Sequence, residues 1–528
     1  MKRKISAGLS LLLSVIMLFL YVIPVCTAFA ESTCTCKNTP IIYIRGMVDI
    51  VKRDPEKGNY EVFDDGDYVS QIVETCIPSF AKGVLTNNWD EYCDKVLDIL
   101  LPAFDGFAPN LDGSIPAESA NQWTWKESDI SAAHNAATTY VYRIDSRLSP
   151  LDLADDLNTF IETVKAKTGH DKVILYARSM GPTILYAYLA KYQRPIEYAG
   201  VERVLLTMST APSSSYAEAA FGGTVHLDAE SANRYLTQNM SVLQEVLGEE
   251  TMEKLNGAVE ILQSRYGISI TSALLNRLYL QLKDKLIAKV IKAYYGLQLG
   301  FLACIDQNLD QALDYIFAEE GDDVKYQYFI EKAKTYHETV QKDIISMLQE
   351  IKAQGKDVYV LADYGYQQVP IGNDTNLIGD KTVGVKQQSF GATCATVDGT
   401  LDATYIEKRT NAGFGKYISP DKKIDSSTAL FPDSTWFINN NNHNWPDQLV
   451  NFEMKLLREE NATIDSFEDY PQFLNYDPDA AKLVPAQETN ANDINWNPQS
   501  KKSFLQSIRD FFEKIVNFFK SLFQIIHI

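Results

Sequence analysis

A serine at the end of a short buried strand and in front of a helix is placed to act as a nucleophile. Ser179 has those surroundings. Val173, Ile174, Leu175 and Tyr176 form an apolar run long enough for a buried strand and too short for a helix. The run ends in Ala177-Arg178-Ser179-Met180-Gly181, and from Pro182 a helical pattern passes through Ile184, Leu185, Tyr188 and Leu189. A sharp strand-to-helix turn needs small residues two places before and after the serine, because the two backbones approach closely there. Ala177 and Gly181 meet that need. Attack on an acyl carbon further requires a base, an acid to orient the base, and N–H donors for the oxyanion. Standing alone, the pentapeptide would suit a helix N-cap equally well. The chemistry therefore depends on what else the chain brings to this turn.

The elements that must position such a group are legible as alternating apolar runs and helical patterns. Ile41-Ile42-Tyr43-Ile44 reads as a central parallel strand ending in Arg45-Gly46-Met47. Helical patterns cover Val73 to Phe80 and Tyr92 to Leu100. Thr138 to Tyr142 is the next strand, and a helix over 151–167 presents Leu153, Leu157, Phe160, Ile161 and Val164 on one face. After the serine turn and its helix comes a strand from Val201 to Met208. This β-α-β-α-β order indicates an α/β fold with a mostly parallel central sheet flanked by helices. Residues 227–353 are helical by pattern and are expected to form a cap or lid inserted into the sheet domain. The sheet resumes at Asp357–Ala362 and ends at Thr435–Ile438, with a closing helix over 446–457. The expected organisation is thus a leader over 1–30, the core in two parts (31–226 and 354–458), the helical insertion, a linker or surface wrap over 459–500, and an amphipathic helix over 501–528.

In an α/β-hydrolase the acid and then the histidine follow the nucleophilic serine along the chain. His134 and His170 precede Ser179, and His226 and His337 precede the last strands. Of the two that come later, His527 is the penultimate residue, whereas His443 lies just past the final core strand. His443 is the expected base. Two acids compete: Asp363 at the end of the Val358–Ala362 strand, and Asp380 in Gly379-Asp380-Lys381-Thr382-Val383, which is preferred. The backbone N–H groups of Met180 and Met47 are the expected oxyanion donors.

These residues carry a resemblance. Asp145-Ser146-Arg147, the Ser179 turn, Gly379-Asp380-x-Thr-Val and His443 are similar to motifs of α/β-hydrolases, and most like those of the lecithin:cholesterol acyltransferase and lysosomal phospholipase group. That group has Y-D-W-R, H-S-M-G-G and G-D-x-T-V at the corresponding places. In this sequence Ile144 and Ser146 replace the tyrosine and tryptophan, Arg45 and Arg178 replace histidines, and Pro182 replaces the second glycine. The resemblance implies an α/β-hydrolase fold and lipid acyl-ester chemistry through an acyl-enzyme, with Ser179, Asp380 and His443 as triad and no metal or organic cofactor. The expected function is a secreted serine hydrolase of carboxylic esters, with lipids or phospholipids as substrates. An acyltransferase using the same triad, or a non-catalytic surface protein of that fold, are the alternatives.

Composition bounds the partners. Lys2-Arg3-Lys4, the apolar stretch Leu11–Val25 and Ala28-Phe29-Ala30 read as a signal peptide with its cleavage site. Its removal takes the net charge from −20 to −23, which argues against a nucleic-acid partner. Six cysteines remain, with Cys76–Cys93 the preferred bridge, and there is no C-x-x-C pair to suggest a zinc site. The final segment repeats Phe504, Ile508, Phe511, Phe512, Ile515, Phe519, Leu522, Phe523 and Ile526 at helical spacing and is net basic. It would dock on an anionic membrane surface or pack on the protein's own acidic body.

Overall fold

The computed structural model describes residues 36–487 apart from 48–50, 54–59, 63–65, 105–107, 117–118, 120–124, 229, 232–233, 235–264, 373, 375 and 444. The leader, Cys34, the helical pattern from Leu243 to Leu262, and residues 488–528 with the amphipathic tail lie outside the described residues.

Eight strands form the central sheet: β1 (Ile41–Met47), β2 (Thr139–Ile144), β3 (Val173–Arg178), β4 (Val201–Thr207), β5 (Asp357–Tyr364), β6 (Thr435–Asn439), β7 (Phe473–Asp477) and β8 (Lys482–Pro485). Their spatial order is β8-β7-β6-β5-β4-β3-β1-β2. Every pairing is parallel except β7 with β8.

The uninterrupted apolar runs follow from burial on both faces. Ile42, Ile44, Leu175, Ala177, Val204, Leu206, Val358 and Val360 share one cluster with helices Pro150–Thr168, Gly181–Tyr188, Gln327–Thr339 and Ile344–Ala353. The alternate residues Ile41, Tyr43, Ile174, Tyr176, Leu205, Tyr359 and Leu361 pack on the other face against Leu449, Phe452, Leu456 and Leu457 of helix Asp447–Arg458.

From Arg265 to Ala353 the chain is helical, and its two ends pack differently. Leu282 and Leu286 join Cys76 of helix Gly66–Thr86, Cys93, Val96 and Leu97 of helix Asp90–Phe104, and Trp89 between the two helices in a separate cluster. Phe301, Ile316, Phe329, Tyr336, Met347 and Ile351 instead belong to the sheet's own core. No helix among the described residues is long and apolar enough to cross a membrane.

Two expectations are corrected. Within 459–500, expected to be a linker or surface wrap, residues 473–485 extend the sheet by two strands; Phe473 and Leu474 are buried there, and the surrounding Asn, Asp and Pro hide the signal. Cys76 and Cys93 do come together in one buried cluster, but both are free thiols.

Candidate active site

The Ser179 turn is set by register and close packing. Arg178 pairs with Thr207, and Thr207 with Leu361. Ser179 itself has a left-handed φ of 55°, a strained conformation for a residue with a Cβ. Its N–H bonds to the Thr207 carbonyl at 3.1 Å, and its carbonyl accepts from the Thr210 N–H at 3.0 Å. Two glycines make the turn possible. A Cβ on Gly181 would stand 2.4 Å from the Ile44 carbonyl oxygen, and one on Gly46 would stand 2.8 Å from the Ser179 Cβ.

The structure brings His443 and Asp380 to this serine. His443 Nε2 lies 3.0 Å from Ser179 Oγ, and His443 Nδ1 lies 2.6 Å from Asp380 Oδ2. Asp380 is fully buried. Its other oxygen accepts the backbone N–H groups of Thr382 at 2.9 Å and Val383 at 2.6 Å, which fixes the carboxylate plane. With Nδ1–H donated to Asp380, the lone pair on Nε2 faces the serine hydroxyl and can accept its proton.

Asp363 ends β5 but serves another group. It is fully buried and accepts the Asn441 side-chain amide at 2.6 Å. Burial, reinforced by the Asp380 charge, pushes its carboxyl well above the usual carboxylate range. Its hydrogen bond goes to Asn441, two residues before His443, so Asp363 positions the His443 loop.

Arg178, Trp445, Tyr176 and Glu453 support that loop, and of these Trp445 and Glu453 were not singled out from the sequence. Arg178 Nη2 donates to the His443 carbonyl at 2.9 Å, and its guanidinium stands 5.1 Å from the centroid of the Trp445 ring. Trp445 Nε1 and the Tyr176 hydroxyl both donate to Glu453 Oε2, at 2.6 and 2.7 Å. Glu453 is fully buried, and that burial raises its carboxyl to about 7. Its sequence signal was only that of a polar residue on an amphipathic helix.

The expected oxyanion donors are Met180, next to Ser179 along the chain, and Met47, next to the Gly46 that packs on Ser179. Met180 is the N-cap of helix Gly181–Tyr188, where N–H groups lack intrahelical partners. Met47 follows Gly46, at the place where the pairing of β1 with β2 shifts register between Ile44 and Met47. Above them, Asp145 and Arg147 form a buried ion pair at 2.7 Å, with a second contact from Arg147 Nε at 2.9 Å. That pair fixes the turn whose Ser146 carbonyl accepts the Gly300 N–H at 2.9 Å. A Cβ on Gly300 would stand 2.9 Å from Met180 Sδ.

Compared with known protein families the chain matches none, and no curated protein is detectably similar to it.

Proposed function

We propose that this protein is a serine hydrolase of the α/β-hydrolase fold that cleaves carboxylic esters, with lipid acyl esters as the substrate class. The observation that carries the reading is the continuous relay from Ser179 Oγ through the His443 imidazole to Asp380, at 3.0 and 2.6 Å. Ser179 Oγ attacks the ester carbon as its proton passes to His443 Nε2. Asp380 stabilises the imidazolium, and the Met47 and Met180 N–H groups receive the oxyanion. Collapse of the tetrahedral adduct expels the alcohol, which takes the proton from Nε2 and leaves an acyl-serine. Water, deprotonated by the same nitrogen, then attacks the acyl carbon, and the second adduct collapses to the free acid as Ser179 Oγ takes the proton back from Nε2. No step requires a metal or organic cofactor.

Exposed apolar side chains on the helices are compatible with a lipid substrate: Val84 and Leu85 on helix Gly66–Thr86, and Leu274 and Leu280 on helix Arg265–Leu282. A leader that directs secretion and a membrane-docking tail are part of the proposal and rest on the sequence.

The test is labelling with a fluorophosphonate. Wild type is expected to be labelled and Ser179→Ala is not. Labelling equal in both, or absent from both, overturns the reading. Hydrolysis of p-nitrophenyl esters of increasing chain length, beside phospholipid, then defines the acyl group.

A further inference from the structure

Cys36, His134 and His170 take no part in the chemistry above, yet they meet at one place. They precede β1, β2 and β3 respectively, and these strands are parallel neighbours. The residues therefore gather at the edge of the sheet opposite the one where Ser179 leaves β3. One ligand atom from each lies within 4.8 Å of the other two. Cys36 Sγ is 3.4 Å from His134 Nε2, and the Asn38 carbonyl oxygen is 2.8 Å from that nitrogen and 3.8 Å from the sulfur. The two imidazole rings are 5.0 Å apart at 73°. His170 Nε2 is buried without a hydrogen-bond partner among the described residues.

We propose that Cys36, His134 and His170 bind a divalent cation of the zinc class, with the Asn38 carbonyl oxygen placed to be a fourth ligand. Thiolate and imidazole are the donors such an ion selects, and tetrahedral zinc separates a sulfur from a nitrogen ligand by about 3.5 Å. The Asn38 carbonyl gives His134 Nε2 a hydrogen-bond partner, whereas His170 Nε2 is left buried and unmatched among the described residues, which is costly. A cation at the centre of the cluster engages that nitrogen. The surrounding loops are held in place by Arg458, whose Nε donates to the Ala136 carbonyl and Nη1 to the Thr39 carbonyl, each at 2.7 Å. The ion would tie the segment entering β1 to the loops before β2 and β3, a structural role far from the serine. Cys36 and His134 are 98 residues apart, so no local spacing announces the site.

The test uses the full chain stripped with a chelator and titrated with Co²⁺, followed by the thiolate-to-cobalt charge-transfer absorption. Wild type is expected to show that band at one ion per chain, with Zn²⁺ displacing Co²⁺ and raising Tm. Cys36→Ser is expected to lose the band, and His170→Gln to bind Co²⁺ at least about tenfold more weakly. Absence of a thiolate band in wild type overturns the proposal whatever the variants do. So does a band of unchanged affinity in His170→Gln, with circular dichroism verifying that the variant is folded.

Discussion

Arg178 Nη2 donates to the backbone carbonyl of His443 at 2.9 Å, so the residue before Ser179 holds the residue whose imidazole faces that serine. The guanidinium also lies over Trp445, which places both sides of the His443 loop in contact with one side chain. Lysine keeps the charge but neither the planar fork nor the stacking. Arg178→Lys is therefore expected to lower kcat about tenfold or more on a p-nitrophenyl ester, with a smaller change in KM, because misplacing the base affects the reacting geometry. An unchanged kcat would show that the loop is held by other means.

The two candidate acids separate by mutation. Asp380→Asn removes the charge facing Nδ1 and is expected to lower kcat by about ten-thousandfold. Asp363→Asn alters a carboxyl that bonds Asn441 and whose protonated form burial favours, and the expected loss is less than about tenfold. Steady-state ester hydrolysis by the two variants compares them directly, and the reverse ranking would make Asp363 the catalytic acid.

Gly181→Ala puts a methyl group 2.4 Å from the Ile44 carbonyl oxygen, backbone against backbone, where neither side can give way cheaply. The expected cost is about 1–3 kcal/mol, seen as a lower urea midpoint, together with loss of fluorophosphonate labelling. Gly355→Ala is the comparison: its φ of 71° brings backbone strain, but the methyl group meets nothing within 4 Å and lies away from the Ser179 turn. It is expected to keep the label.

Glu453 should make stability depend on pH. Its carboxyl is raised from 4.5 to about 7 by burial, so the unfolded chain gives up this proton first as pH rises. Stability from this group is complete below about pH 4.5 and is lost as pH climbs through 7, by up to about 3 kcal/mol. Asp363, also raised by burial, acts in the same direction. Glu453→Gln keeps an acceptor for Tyr176 and Trp445 and is expected to flatten this part of the profile. Chemical denaturation between pH 4.5 and 8 measures it; parallel curves for the two proteins would remove Glu453 as the cause.

What could be read from the chain was what burial writes locally. β1, β3, β4 and β5 were legible because each is covered on both faces and spells a continuous apolar run. Helix Pro150–Thr168 was legible because one face is covered. The placement of His443 beside Ser179 followed from chain order alone. Arg178 was visible only as an unusual neighbour, because its partner is a backbone carbonyl 265 residues away that has no sequence signature. Glu453 and Asn441 were missed for a related reason: their work is to satisfy or orient groups brought close by the sheet. The strands β7 and β8 were lost in polar composition, since only the start of β7 is buried.

The Gln298–Leu302 stretch meets the Asp145–Arg147 turn through both main chain and side chain. Gly300 N–H bonds to the Ser146 carbonyl at 2.9 Å, Leu299 N–H to the Arg147 carbonyl at 3.4 Å, and the Ser146 hydroxyl donates to Gln298 Oε1 at 2.9 Å. Gln298 is fully buried, Leu299, Phe301 and Leu302 pack in the sheet's core, and Gly300 must stay small. This part of the helical segment is thus scaffold for the Ser179 turn. Variation by design or by descent is expected to fall elsewhere in the segment, where side chains can change without moving Met180 or Ser146.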